Sequence, residues 1–245
     1  MPTFSNDVNG NTPLYYIPIT LSSNGGSGFQ QQITIDSNSY SSYLATDISN
    51  LNFQDGSGNI LKSWLESGET NTSTASIYWV QIPNSTITEI YAVLYSTSAV
   101  SKDSTTTGCE PNYTSTYGQY DNGANVFTFY DNFAGTALNS TKWTVSGTSY
   151  SVDNGITISS ASTTYIQSAS EYNPQTQMLD FYSYVSAIGA ENYYQGWAGA
   201  SAGSPQYLVS DSGGNGEYNL YNYNGTTTGF TAISILQQCI LMEPL

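Results

Sequence analysis

The stretch "VFTFYDNFAGTALNSTKW", Val126 to Trp143, reads as the opening of a folded unit: a β-rich run, a turn and an anchoring tryptophan. It lies near the middle of a chain of 245 residues. Just before it, "SAVSKDSTTTGCEPNYTSTYGQYDNGAN", Ser98 to Asn125, shows no hydrophobic period and is dense in turn residues, as a connecting segment would be. The reading is therefore a polar N-terminal segment at 1–13, a first domain at 14–98, a linker at 99–125 and a second, incomplete domain at 126–245.

Working outward, strand signals dominate on both sides and no helical period of useful length occurs. Before the linker come "LYYIPITL" (Leu14 to Leu21), "FQQQITID" (Phe29 to Asp36), "ISNLNFQD" (Ile48 to Asp55), "ILKSWLES", "SIYWVQIP" and "TEIYAVLYS". These six runs belong to a set of about seven short strands between residues 14 and 96, spaced as in a β-sandwich. Pro18 lacks an N–H and points to an edge position. "DGSGN", Asp55 to Asn59, reads as a hairpin turn, and so does Asp153-Asn154-Gly155 after the linker. "MLDFYSYVS", Met178 to Ser186, alternates Leu179, Phe181 and Val185 against Asp180, Tyr182 and Tyr184. The fold class expected is all-β: two antiparallel β-sandwich, jelly-roll-like domains joined by a polar linker.

Composition narrows the function. Only 9% of residues are charged, against about 25% in ordinary soluble domains. There are 18 acidic residues and three lysines (Lys62, Lys102, Lys142), no Arg and no His, for a net charge of -15. Phosphate binding needs Lys and Arg, so a nucleic-acid partner is excluded, as is an anionic membrane surface. Near pH ~2 most carboxylates are neutral, leaving little self-repulsion, which suits an acidic exterior. A neutral extracellular setting rich in Ser, Thr and Asn is the plainer reading of the same composition. The start "MPTFSNDVNG" has no signal-peptide pattern, and no run approaches the ~18 apolar residues of a membrane span. An exported protein would then be seen here as a fragment or a mature form. The style break at "ILQQCILMEPL" points to a truncated or artificial end. Five N-x-S/T sequons, at Asn71, Asn84, Asn112, Asn139 and Asn224, are glycosylation candidates and fit an extracellular or cell-surface location.

"YYIPITL", "ISNLNFQDGSGNILKSWLES", "ASIYWVQIP" and "IYAVLYS" carry a resemblance over roughly Leu14 to Ser96. They resemble an uncharacterised domain family of prokaryotic exported proteins, associated with MotA/TolQ/ExbB-type proton-channel proteins. The shared pieces are Asp55-Gly56, Trp64-Leu65-Glu66 and the aromatic strand Tyr78 to Pro83. Tyr95-Ser96-Thr97 departs from the Tyr-Gly-Asn of many relatives. The family implies no chemistry. "FYDNFAGTALNSTKWTV" followed by "VDNGITIS" resembles the first strands of concanavalin A-like lectin/glucanase jelly rolls. That likeness implies a carbohydrate-binding sandwich.

Candidate sites follow from residue types. The Glu-x-Asp-x-x-Glu set of glucanases of that fold is absent; Glu191, Glu217 and Asp180 stand apart. Without His there is no Ser-His-Asp system and no His-based zinc site. Cys109 reads as an incidental thiol, and its pairing with Cys239 stays open. Asp211 and Asn215 fall at calcium-loop offsets, but the twelfth position is Asn222 rather than Glu, so a β-turn competes with a Ca2+ site. No other cofactor is implied. Flat rings pack on sugar C–H faces, which makes Tyr182, Tyr184, Trp197, Tyr221 and Tyr223 a candidate glycan platform; simple coverage of a charge-poor sheet is the plain alternative. The expected function is a non-enzymatic carbohydrate-binding or adhesion module whose partners are glycans or neighbouring surface proteins. The alternative is a structural segment of a surface layer, filament or stalk, and a glycoside hydrolase stands last. Incubation with β-glucans is expected to release no reducing sugar; release that vanishes on Glu191→Gln or Glu217→Gln would overturn this.

Overall fold

The computed structural model describes residues 1–22, 26–159, 164–172, 178–180, 182, 193–197, 206–211, 218–223 and 227–229, the last four segments as backbone strands. In chain order the strands are β1 (Tyr15–Thr20), β2 (Phe29–Ile35), β3 (Leu51–Asp55), β4 (Ile60–Leu61), β5 (Ser63–Ser67), β6 (Ser76–Ile82), β7 (Glu89–Leu94), β8 (Thr107–Cys109), β9 (Trp143–Ser146), β10 (Tyr150–Val152), β11 (Ile156–Ile158), β12 (Tyr165–Ser168), β13 (Tyr193–Trp197), β14 (Gln206–Asp211), β15 (Tyr218–Tyr223) and β16 (Thr227–Gly229). One 3-10 turn (Ser37–Tyr40) and one helical turn (Gly123–Val126) complete the list among the described residues. The fold is all-β. The chain forms two compact units, Met1–Leu138 with Ser151–Thr157, and Asn139–Tyr150 with Ile158–Leu245.

The first unit is a sandwich of two four-stranded sheets, ordered β1-β7-β3-β4 and β2-β6-β5-β8. Alternation sorts the side chains. Leu51 and Phe53 of β3, with Ile90, Ala92 and Leu94 of β7, face Ile33, Leu65, Tyr78, Val80 and Ile82 of the other sheet across one core. Pro18 sits on β1, an edge strand, as its missing N–H requires. The Asp55–Asn59 turn joins β3 to β4, as the sequence indicates. "ILKSWLES" is divided: β4 belongs to the first sheet and β5 to the second, with the chain crossing at Lys62. The strand read from Ile48 begins later, at Leu51, because Ile48 adopts φ 50 in a turn, its N–H donating to Ala45 O at 2.9 Å.

Both outer faces of this sandwich are covered, which explains strands that are apolar on both sides. On the first sheet, Tyr91, Val93 and Tyr95 pack with Ala99 and Phe4. The N-terminal segment lies there like an added strand: Ser5 N–H donates to Gln54 Oε1 (2.9 Å) and Gln54 Nε2 donates to Ser5 O (3.0 Å). On the second sheet, Phe127 lies 5.4 Å from the Trp64 ring and 5.9 Å from that of Trp79, and stacks on Tyr130. Asp121 fastens this cover, accepting from Trp64 Nε1 (3.0 Å), Tyr130 OH (2.7 Å), Asn132 Nδ2 (2.6 Å) and Gly123 N (3.0 Å). A side chain at Gly123 would strike the Tyr130 ring.

The segment read as a linker is thus part of the first unit. Thr107–Cys109 pairs in parallel with Ser63–Leu65 of β5, and Cys109 is fully buried and unpaired. Its lack of period reflects a backbone held by side chains: Asp103 accepts from the N–H groups of Thr105, Thr106 and Thr107. The opening stretch is shared out. Residues 127–132 close the first unit, whereas Trp143 begins β9 of the second.

In the second unit β9 pairs antiparallel with β12, and β13-β14-β15-β16 form an antiparallel sheet. Asn154 (φ 50) and Gly155, which belong to the first unit, turn the β10–β11 hairpin, as the sequence indicates. Of the strand read over Met178 to Ser186, Met178, Leu179, Asp180 and Tyr182 are described, and none is in a strand. Phe181, Tyr184 and Val185 lie outside the described residues.

One core position carries a charge-bearing group. Lys102 is 2% exposed, with Nζ 5.5 Å from the Tyr78 ring centroid and no hydrogen-bond partner; Tyr78 OH and Thr107 Oγ1 are buried in the same condition. Burial lowers the Lys102 pKa to about 8, opposed by Cys109, Asp47 and Asp103. Burial also raises the Cys109 thiol to about 12. Lys102 is half-deprotonated near pH 8 when folded and near 10.5 when unfolded. Between those values the unfolded chain holds more protons, so this residue's contribution to stability rises with pH; below about 8 its penalty is complete. Lys102→Met is expected to stabilise the fold at pH 7 by roughly 3 kcal/mol. Urea unfolding of both proteins should show that gap shrinking toward pH 10, and a pH-independent gap would refute the assignment.

Candidate functional site

Two turns distant in sequence meet at one end of the first sheet. The β3–β4 turn brings Asp55, Gly56 and Ser57; the segment entering β7 brings Thr86, Ile87, Thr88 and Glu89 beside Tyr91. They line an open groove of about 260 Å³.

Its chemistry is built from the turns upward. Asp55 Oδ1 accepts from the N–H groups of Ser57 (2.9 Å) and Asn59 (3.0 Å), and Oδ2 accepts from Asn59 Nδ2 (2.7 Å). Gly58 takes φ 83, which only glycine adopts without strain, and its position against Thr3 O leaves no room for a Cβ. Asp55 is therefore the cap of the turn. Glu89 is exposed and accepts a short hydrogen bond from Tyr91 OH. That bond raises the Tyr91 pKa, since the carboxylate holds the phenol proton. The Tyr91 ring is fixed edge-on by Phe4 (5.2 Å) and Tyr16 (5.7 Å). The groove thus offers a positioned carboxylate, a positioned phenol and the hydroxyls of Ser57, Thr86 and Thr88, with no lysine in its wall. Such a lining accepts and donates hydrogen bonds to a neutral polar ligand. It holds no acid–nucleophile pair free of structural duty, because Asp55 is engaged by its own turn.

The platform residues named from sequence fall elsewhere. Tyr182 is 95% exposed. Trp197 ends β13, and Tyr221 and Tyr223 lie on β15. The register puts Trp197 opposite Tyr207, which pairs with Asn222, whereas Tyr221 pairs with Leu208 and Tyr223 with Gln206. With side chains alternating along each strand, position 197 is on the opposite face from positions 221 and 223. Tyr184 lies outside the described residues.

The calcium reading of Asp211 and Asn215 meets a structural parallel. Asp211 ends β14, and Asn215 is outside the described residues. The same Asp-x-x-Gly-Asn spacing occurs at Asp7–Asn11 and Asp55–Asn59. In the first, Asp7 accepts from Asn9 N (3.0 Å), Asn11 N (2.8 Å) and Asn11 Nδ2 (2.8 Å), with Gly10 at φ 82, so both described copies close one kind of turn. Among the described residues no cluster of three or more metal-ligating side chains occurs. No described helix is long and apolar enough to cross a membrane.

The sequence reading missed Glu89, Thr86 and Thr88, which it placed in an ordinary strand and its approach. The one available signal was the polar run "NSTITE" ahead of an otherwise apolar strand.

The family match falls mostly within the first unit. Residues 47–146 match the family described as "Domain of unknown function (DUF2341)". The match starts later than the likeness seen from Leu14 and continues through the segment read as linker. A stretch of 72 residues is 42% identical to "Uncharacterized protein 562" of Sulfolobus islandicus rod-shaped virus 1, covering 29% of this chain and 13% of that protein. The chain therefore spans a small part of that relative's length. No solved structure matches. The chain is thus similar, over residues 47–146, to a domain of unknown function.

The division of labour in the groove is testable by urea unfolding. Asp55→Ala removes three turn hydrogen bonds and is expected to cost about 1–2 kcal/mol. Glu89→Gln is expected to stay within about 0.5 kcal/mol of the parent. Equal costs would mean that Glu89 is also structural.

Proposed function

We propose that this chain is a non-catalytic recognition module of a cell-surface or extracellular protein, and that its groove binds a neutral glycan. The observation supporting this is the groove's lining: the Glu89 carboxylate and Tyr91 phenol beside three hydroxyl side chains. Carboxylates accept from vicinal sugar hydroxyls, and such charge-assisted bonds are worth roughly 1.5–3 kcal/mol each. The net charge of -15 disfavours an acidic glycan or a phosphate.

A structural role in a surface layer or stalk is the second reading, favoured by a separate observation. Edge strand β1 exposes Tyr15 (53%) and Tyr16 (48%) beside Leu14 (58%), a surface suited to a neighbouring surface protein.

A glycan array followed by titration calorimetry tests the proposal. A neutral oligosaccharide should bind, and Glu89→Ala should weaken it at least tenfold, about 1.4 kcal/mol, without moving the unfolding midpoint. Tyr182→Ala should leave affinity unchanged. Affinity lost with Tyr182→Ala but kept with Glu89→Ala would move the site to the second unit. No binding to any glycan would leave the structural reading in front.

A further inference from the structure

The described sequons are not equivalent once folded. Asn-linked glycosylation needs a tripeptide that a transferase can seat and an amide nitrogen it can reach. Asn71 fails on both counts. It is half-buried, and its Nδ2 donates to Ser41 O (3.2 Å) and Leu44 O (3.4 Å). Its backbone is bound too, through Asn71 N to Thr46 O and Asn38 N to Ser73 O. Asn112 directs its Nδ2 to Glu110 Oε2 (3.2 Å), and Tyr113, the middle residue, is anchored by its hydroxyl to Asp47 O.

Asn84-Ser85-Thr86 and Asn139-Ser140-Thr141 differ from both in exposure. All three residues of each are exposed. In each, the third-position hydroxyl donates to the Asn Oδ1, at 2.6 Å from Thr86 and 2.7 Å from Thr141. The Thr N–H adds a second bond to the same oxygen, 3.0 Å in both cases. Two donors on Oδ1 draw electron density from the amide, which makes its N–H protons more acidic.

We propose that Asn84 and Asn139 are N-glycosylation sites of the folded protein and that Asn71 is not. The donor is a lipid-pyrophosphate-linked oligosaccharide. Asn Nδ2 attacks the anomeric carbon; the N–C1 bond forms as the C1–O bond to phosphate breaks. The pyrophosphate leaves on its lipid, and the amide proton passes to a carboxylate of the transferase. No electron is gained or lost. The sequon at Asn84 shares Thr86 with the groove, but the transfer reaction does not require that a glycan bind there.

The test is in vitro transfer to the purified folded chain, with synthetic peptides carrying the four described sequons as the unfolded reference. Site occupancy is read by peptide mass mapping. In the folded chain, Asn84 and Asn139 should be modified to the extent seen in their peptides, while Asn71 should fall at least tenfold below its own. Asn71 modified as fully as its peptide would overturn the proposal. So would a bare Asn84 or Asn139 whose peptide is modified.

Discussion

The Asp121 carboxylate holds the outer layer of the second sheet in place. Four donors converge on it, three of them side chains from Trp64, Tyr130 and Asn132. Their convergence draws residues 121–132 across β5 and β6 and seats Phe127 between Trp64 and Tyr130. Without this fastening, the face bearing Trp64 and Trp79 would be open to water. The sheet can be apolar on both sides only because a loop, rather than a third sheet, covers it. The same loop supplies a backbone acceptor, Val126 O, to Gln30 (3.0 Å) and Gln81 (3.2 Å), tying β2 and β6 to the cover.

Buried amides serve the first sheet in the corresponding way. Asn50 accepts from Ala45 N and donates to Tyr43 O and Tyr95 O, so one side chain closes three loop ends. Gln54 pairs with both backbone groups of Ser5 and also donates to Tyr95 OH (2.8 Å). Burying amides is costly unless their hydrogen bonds are made; for Asn50 and Gln54 they are made mostly to backbone, whereas Asn52 Nδ2 is buried without a partner. The chain uses Asn and Gln as pieces of backbone where a further strand would otherwise be needed.

These features explain what was legible in the sequence. The period-two strands of the first unit, Pro18 at an edge, and the turns at Asp55–Asn59 and Asn154-Gly155 follow from local rules, and the structure has them, whereas Met178, Leu179, Asp180 and Tyr182, read as part of an alternating strand, are in none. Ser98 to Asn125 was illegible because its order comes from partners elsewhere: β5 for Thr107–Cys109, and the outer face of the second sheet for Phe127 and Tyr130. Residues that form no period can still be fixed when single side chains replace the ladder. The groove was hidden for a related reason. Asp55 was visible as a turn residue and Tyr91 as a strand residue, but their meeting depends on β3 pairing with β7. Asp211 and Asn215 read as either a turn or a calcium loop because a turn cap and a cation loop require the same residue types at similar spacing.

The way the carboxylates are satisfied has a consequence for the protein's response to its medium. Asp7, Asp55, Asp103 and Asp121 accept from backbone N–H groups, amides, hydroxyls and an indole, all of them uncharged. Dissolved ions screen attraction between opposite full charges, and over about 8 Å at physiological ionic strength they screen repulsion between like ones. They act far less on short bonds between a carboxylate and a neutral donor. With 18 acidic groups and three lysines, the long-range field within this chain is mostly repulsive. Brine therefore relieves the unfavourable part of its electrostatics and leaves the favourable part standing, the reverse of what happens to a protein held together by ion pairs.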